Sequence, residues 1–190
     1  MIKEELILKI RKMQTFISIL LFFIITSFFL TSTEYNITEI QISEWGSDKN
    51  LGWIFNYSLI ILSLSIFVNA FFYIKHHQRL IKKRISYSFF LLTSIFLFFT
   101  GFFDVENNNL LHNLSAFSYF FSYPLGIFLL SYINRKKILY REWVFNLLCS
   151  ISAVILPIIF IKNFDGMGIG ELVHCTIISY WNLRINFKFT

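Results

Sequence analysis

Glycine, proline and cysteine are scarce in this chain of 190 residues: 7, 2 and 2. The few glycines form no phosphate-cradling loop and no G-x-S-x-G nucleophile turn. With so little Pro and Gly there is no linker, no low-complexity tail and no boundary at which a soluble domain could separate. Cys149 and Cys175 make neither a CxxC pair nor a zinc spacing, so both are expected to pack as small buried hydrophobes. Charge is thin too. Only 15% of residues are charged, against about 25% in soluble domains. No lysine lies inside an apolar run to hold retinal as a Schiff base, and no internal repeat is visible, which weakens an inverted-repeat transporter.

What fills the space is apolar. Hydrophobic residues make up 56% and aromatic residues 20%, with 25 phenylalanines and a mean hydropathy of +0.62. Such bias predicts an integral membrane protein. Spanning helices need about 17–25 apolar residues. The expected spans are 15–30, 54–74, 85–103, 114–133, 143–161 and a more polar sixth at 169–185. The first has a signal-peptide alternative, because lysines precede it and Thr31-Ser32-Thr33 follows. Its apolar run is long for a signal, so an uncleaved helix is expected.

Charge predicts the orientation. Six spans put the N-terminus, the 75–84 and 134–142 connections and the C-terminal tail on one side. That side holds 15 of the 17 basic residues, leaving Lys49 and Lys162 opposite. Eight of the eleven acids lie on the opposite side: Glu34, Glu39, Glu44, Asp48, Asp104, Glu106, Asp165 and Glu171. The positive-inside rule therefore places both termini in the cytoplasm of a multi-pass cell-membrane protein. The run KHHQRLIKKR at 75–84 is too short a loop for a nucleic-acid module. It reads as a topology signal touching lipid head groups, with His76 and His77 solvated.

The polar groups gather on the other side. In GFFDVENNNLLHNLSAF, 101–117, Asp104, Glu106, Asn107, Asn108, Asn109, His112 and Asn113 interrupt the grease, and the three asparagines suggest a turn. Glu44 and Trp45 stand in the long outer segment 31–53, which could be an amphipathic helix or a strap on the membrane surface. Asn56 and Ser58 open the second span; Glu171 and His174 open the sixth. Glu44, Asn56, Asp104, His112, Asn113, Glu171 and His174 thus form a candidate outer-face polar pocket. Glu171 and His174 share a helix face at i, i+3, and ionisable groups inside a span usually face the bundle interior. The bland alternative is an internal Glu–His hydrogen bond. The sharper one joins Asp104, His112, Glu171 and His174 as ligands for zinc or another divalent metal, whose bound water could attack an ester or amide. Elsewhere Asn69 and Asn146 are expected to bond between helices, and Tyr180 and Trp181 to sit in an interfacial belt.

The stretches SEWGSDKNLGWIFNYSLI (43–60), FFDVENNNLLHNLSAF (102–117) and GIGELVH with Trp181 downstream resemble the bacterial and archaeal membrane-protein family catalogued as domain of unknown function number 998. The matching positions are Ile54-Phe55-Asn56, Phe103-Asp104, Leu111-His112 with Ala116, and Gly168 to Glu171, within about residues 15 to 185. The resemblance implies a six-helix membrane protein and no particular reaction. It also suggests a basic residue after the last-helix Glu; here that position is Leu172, a departure that puts a charge-pair role of Glu171 in doubt. A more distant likeness to autophagy-modulator, DRAM-like membrane proteins adds nothing firmer.

The expected fold is therefore all-α, one bundle of six transmembrane helices in a single domain. Three functions follow from these residues: binding of a membrane lipid or partner in the outer-leaflet pocket, a metal-dependent membrane hydrolase at the outer face, or a small transporter. The transporter would need polar groups at mid-membrane, for which Asn69 and Asn146 are the support.

Overall fold

The structure is a computed structural model describing residues 4–31, 36–76, 81–103 and 105–188. Six α-helices follow in order: α1 (Glu4–Thr31), α2 (Gly52–His76), α3 (Ile81–Phe102), α4 (Val105–Asn134), α5 (Tyr140–Asn163) and α6 (Gly168–Lys188). A 3-10 helix, Ile42–Ser47, lies between α1 and α2. In hydrocarbon no water can satisfy peptide groups, so an apolar run must bond its own backbone, and the helix does so. The α2, α3 and α5 helices, and residues 108–134 of α4, are long and apolar enough to cross a membrane.

Each helix packs on the next, and α1 packs on α6, so the six close into a ring. The 3-10 helix touches α2, α4 and α6 and covers one end of it. Inside, Ile66, Phe90, Leu97, Tyr123, Ile127 and Trp181 are among the residues that make one core shared by α2 to α6. Outside, Phe16, Phe23, Phe102, Leu114 and Leu148 are well exposed. So wide an apolar exterior suits lipid rather than water. Small hydroxyls let the helices approach. Ser86 donates to the Gly126 carbonyl at 3.1 Å, Thr93 to Ser122 at 2.9 Å and Ser150 to the Pro124 carbonyl at 2.8 Å. Asn69 donates to Gln14, joining α2 to α1, and Asn146 accepts from Trp181 Nε1 at 3.0 Å, joining α5 to α6. These are the interhelical bonds the sequence suggested.

One expectation holds and one changes. The asparagine stretch does break the helix: α4 begins at Val105 but kinks at Asn108, whose φ of −142° and ψ of 50° are non-helical. Trp181 is not in an interfacial belt. It is buried, stacked on Phe90 at 6.1 Å and edge-on to Tyr123 at 6.2 Å. Asn146 supplies the acceptor an indole N–H needs to enter a core.

The outer segment is a plug rather than a surface strap. Ile42 and Trp45 are buried and pack with Phe55 of α2. The chain just before them is pinned to the α5–α6 connection: Gly166 N–H donates to the Thr38 carbonyl and Gly168 N–H to the Ile40 carbonyl, both at 2.8 Å. A Cβ on Gly168 would lie 2.7 Å from the Ile37 and Ile40 carbonyl oxygens, so glycine is required by the closeness of two backbones. Replacing Gly168 with Ala is therefore expected to destabilise the protein by about 1–3 kcal/mol, read from unfolding in detergent. An unchanged midpoint would mean that this docking is loose.

Candidate functional site

Beneath the plug lies a cavity of about 90 Å³ between α1, α2, α3, α4 and α6. Most of its wall is apolar, including Leu21, Phe55, Leu97 and Leu172. Ser43, His112 and Glu171 line it close to the plug. Deeper in the ring come Ser18 and Ser179, then Gln14, Tyr123 and Asn182. A second cavity of about 110 Å³ is lined by Asn113, Ala116, Pro157 and Glu171. Glu171 and Ala116 border both.

Glu171 sits in the first turn of α6. Its Oε2 accepts from the Ile42 backbone N–H at 2.6 Å. Ile42 opens the 3-10 helix, whose first N–H groups have no partner within the helix. The carboxylate supplies one where the helix end favours negative charge. Glu44 serves the same helix from within. Its Oε1 accepts from the Gln41 N–H at 3.2 Å, completing a capping box. Asn56 donates to the Gly46 carbonyl at 2.9 Å and ties the plug to α2. Glu44 and Asn56 therefore hold the cavity's roof and are not among its lining residues. Asn113 donates to Asn109 Oδ1 at 2.6 Å and borders the second cavity. Asp104 lies outside the described residues.

His112 is 2% exposed, and its Nδ1 meets the Phe103 carbonyl oxygen at 2.8 Å. A carbonyl only accepts, so Nδ1 carries the hydrogen; in a neutral ring the lone pair is on Nε2. That Nε2 is buried and has no hydrogen-bond partner among the described residues. His174 repeats the arrangement deeper in the ring. Its Nδ1 meets the Ala153 carbonyl at 2.8 Å, its Nε2 is buried without a partner among the described residues, and Phe120 and Tyr119 stand edge-on at 4.3 and 5.5 Å. Glu171 and His174 share a face but do not bond each other; one turns to the plug, the other to α5. Among the described residues no three His, Cys, Asp or Glu side chains gather in a way that could hold a metal ion.

Several cavity residues escaped the sequence reading. Gln14 and Ser18 of α1 are buried, and Ser18 lies 3.3 Å from Ser179. Tyr123 and Asn182 bond each other, with O···O at 3.1 Å and N···O at 2.9 Å. Their signal was available: Gln14, Ser18 and Leu21 fall at i, i+4 and i+7, one face of the first helix. It was hidden beneath the span's overall grease.

A ring of helices with an apolar exterior, a mostly apolar internal cavity edged by a few polar groups and, among the described residues, four helices fit to cross a bilayer defines a helical membrane protein. The chain belongs to the family described as Protein of unknown function (DUF998), whose model matches residues 16–184. This is the family its short motifs suggested. No curated protein and no solved structure matches the chain.

Two substitution pairs test the geometry. Glu171→Ala leaves the Ile42 N–H buried and unpaired, costing about 1–3 kcal/mol; Glu171→Gln keeps an acceptor and costs less. His112→Asn retains a donor where Nδ1 stands, so it should be more stable than His112→Ala by about 1 kcal/mol. Unfolding midpoints in detergent check both, and equal midpoints within either pair would refute the corresponding bond.

Proposed function

We propose that this protein crosses the cell membrane six times, with both termini in the cytoplasm, and binds a membrane lipid in the outer-leaflet cavity bordered by Glu171 and His112. The basic residues at one end of the ring support the orientation. Because α1 and α6 turn Gln14, Ser18, Glu171, Ser179 and Asn182 into the cavity, they can span with lower hydropathy than their neighbours. The observation that carries the binding function is the buried Nε2 of His112, without a partner among the described residues, in the cavity that Glu171 also lines. A buried acceptor without a donor is costly, and a bound hydroxyl or amine would remove that cost. The aliphatic and aromatic wall below would receive the methylenes next to that polar end. The ligand is therefore a lipid whose polar end donates hydrogen bonds.

Ala116 borders both cavities, so Ala116→Phe should fill the space. Lipid analysis by native mass spectrometry is expected to find a stoichiometric lipid on the wild type and none on this variant, with folding verified by its melting curve. An empty wild type, or a variant that keeps the lipid, would defeat the proposal. Elemental analysis of the same preparations addresses the hydrolase alternative. Stoichiometric zinc or another transition metal, lost in His112→Ala/His174→Ala, would put that function first. The line of Ser18, Ser179, Gln14 and Asn182 along the cavity wall favours a second reading, a small transporter. Solute flux into liposomes that Gln14→Leu abolishes would support it.

A further inference from the structure

The opposite end of the ring holds a larger cavity, about 620 Å³, between the N-terminal part of α1, the ends of α2, α4 and α6, the α4–α5 connection, and the starts of α3 and α5. Cavities of about 300–1,000 Å³ accommodate small ligands. Five cationic side chains line this one: Arg11, Lys83, Lys137, Arg141 and Arg184. Among its described lining residues Glu142 is the one carboxylate. It is shared already, lying 3.4 Å from Arg184 and 3.9 Å from Arg141. Arg11 donates to the Tyr73 hydroxyl at 2.6 Å, and Arg184 lies over the Phe145 ring at 3.8 Å. Two guanidinium groups are thus held in position. Cations crowded round a pocket with so little negative charge form a site for an anion.

We propose that this basic cavity binds a phosphate group, and that the phosphate is the headgroup of an anionic phospholipid of the same membrane. The choice of source rests on the rest of the lining. Leu130, Ile138, Leu139 and Ile185 stand among the cations, and Leu139 is 69% exposed. A bare ion has no use for that apolar strip; the glycerol and first methylenes of a lipid do. On the orientation proposed above, the site faces the cytoplasmic leaflet, where basic pockets between helices meet anionic head groups. It is separate from the donor-seeking cavity under the plug, since it selects for negative charge.

The test titrates the full chain in detergent with phosphatidylglycerol, phosphatidylcholine or inorganic phosphate and follows the rise in melting temperature. Phosphatidylglycerol is expected to act where phosphatidylcholine does not. Lys83→Gln/Lys137→Gln should weaken its half-saturation about tenfold, and the exposed Arg141→Gln, which carries little folding risk, should shift it the same way. The control is Arg135→Gln/Lys136→Gln, on the same loop but outside the cavity, which should titrate as wild type. Equal weakening by the control pair would show diffuse surface charge and overturn the site. So would identical responses to the two lipids combined with none to phosphate. If inorganic phosphate alone gives the full shift and abolishes the phosphatidylglycerol increment, the phosphate site stands and its lipid source falls.

Discussion

The contact on which the upper half of the molecule depends joins residues 129 positions apart: the Ile42 N–H donating to the Glu171 carboxylate. Each group relieves the other's difficulty. The first N–H of a short helix, buried against the end of the ring, has no partner of its own. A carboxylate at the start of a buried helix is costly without donors. Bonded together, they clamp the first connection of the chain to its last helix. Trp45 can then seat behind Ile42, and Gly166 and Gly168 can take the strap's carbonyls. With the bonds of Asn56 and of Gly166 and Gly168, that clamp holds the roof over the cavity under the plug.

The two ends of the ring offer contrasting chemistry. Near the plug, the cavity presents oxygen and nitrogen lone pairs in an apolar wall, from Glu171 and from the Nε2 of His112. At the far end, cations outnumber carboxylates in a wider space. Between them stand Gln14, Tyr123 and Asn182, which also line a small cavity of about 40 Å³ with Arg11 and Tyr73. The interior is therefore polar at intervals along its length, while the exterior is almost uniformly apolar. This is the arrangement expected where lipid surrounds the protein and function is carried inside.

How much could be seen beforehand differs by feature. The apolar stretches announced the helices, though not their limits, because amphipathic ends such as 4–13 and 109–113 continue a helix beyond its greasy part. The polar cluster singled out Glu171 and His112 because ionisable groups are rare in such a chain. It also gathered Glu44 and Asn56, which turned out to brace the roof. Trp181 was misplaced because a tryptophan near a helix end looks the same in sequence whether it faces lipid or finds an Asn146 inside. Gln14 and Asn182 were passed over because their helices average as apolar.

Hydropathy and charge sum along a chain, so sequence alone determined that this is a helical membrane protein, where its helices run and which end is basic. Short motifs sufficed for the family. Tertiary structure decided the closure of the ring by α1 against α6, the burial of the plug and the histidine nitrogen left without a partner among the described residues. Those outcomes depend on pairs: His112 with the Phe103 carbonyl, His174 with that of Ala153, Glu171 with Ile42. Each pair joins groups on different elements, and whether a buried polar atom is satisfied is settled by the distance between two such groups. No window of sequence contains that distance.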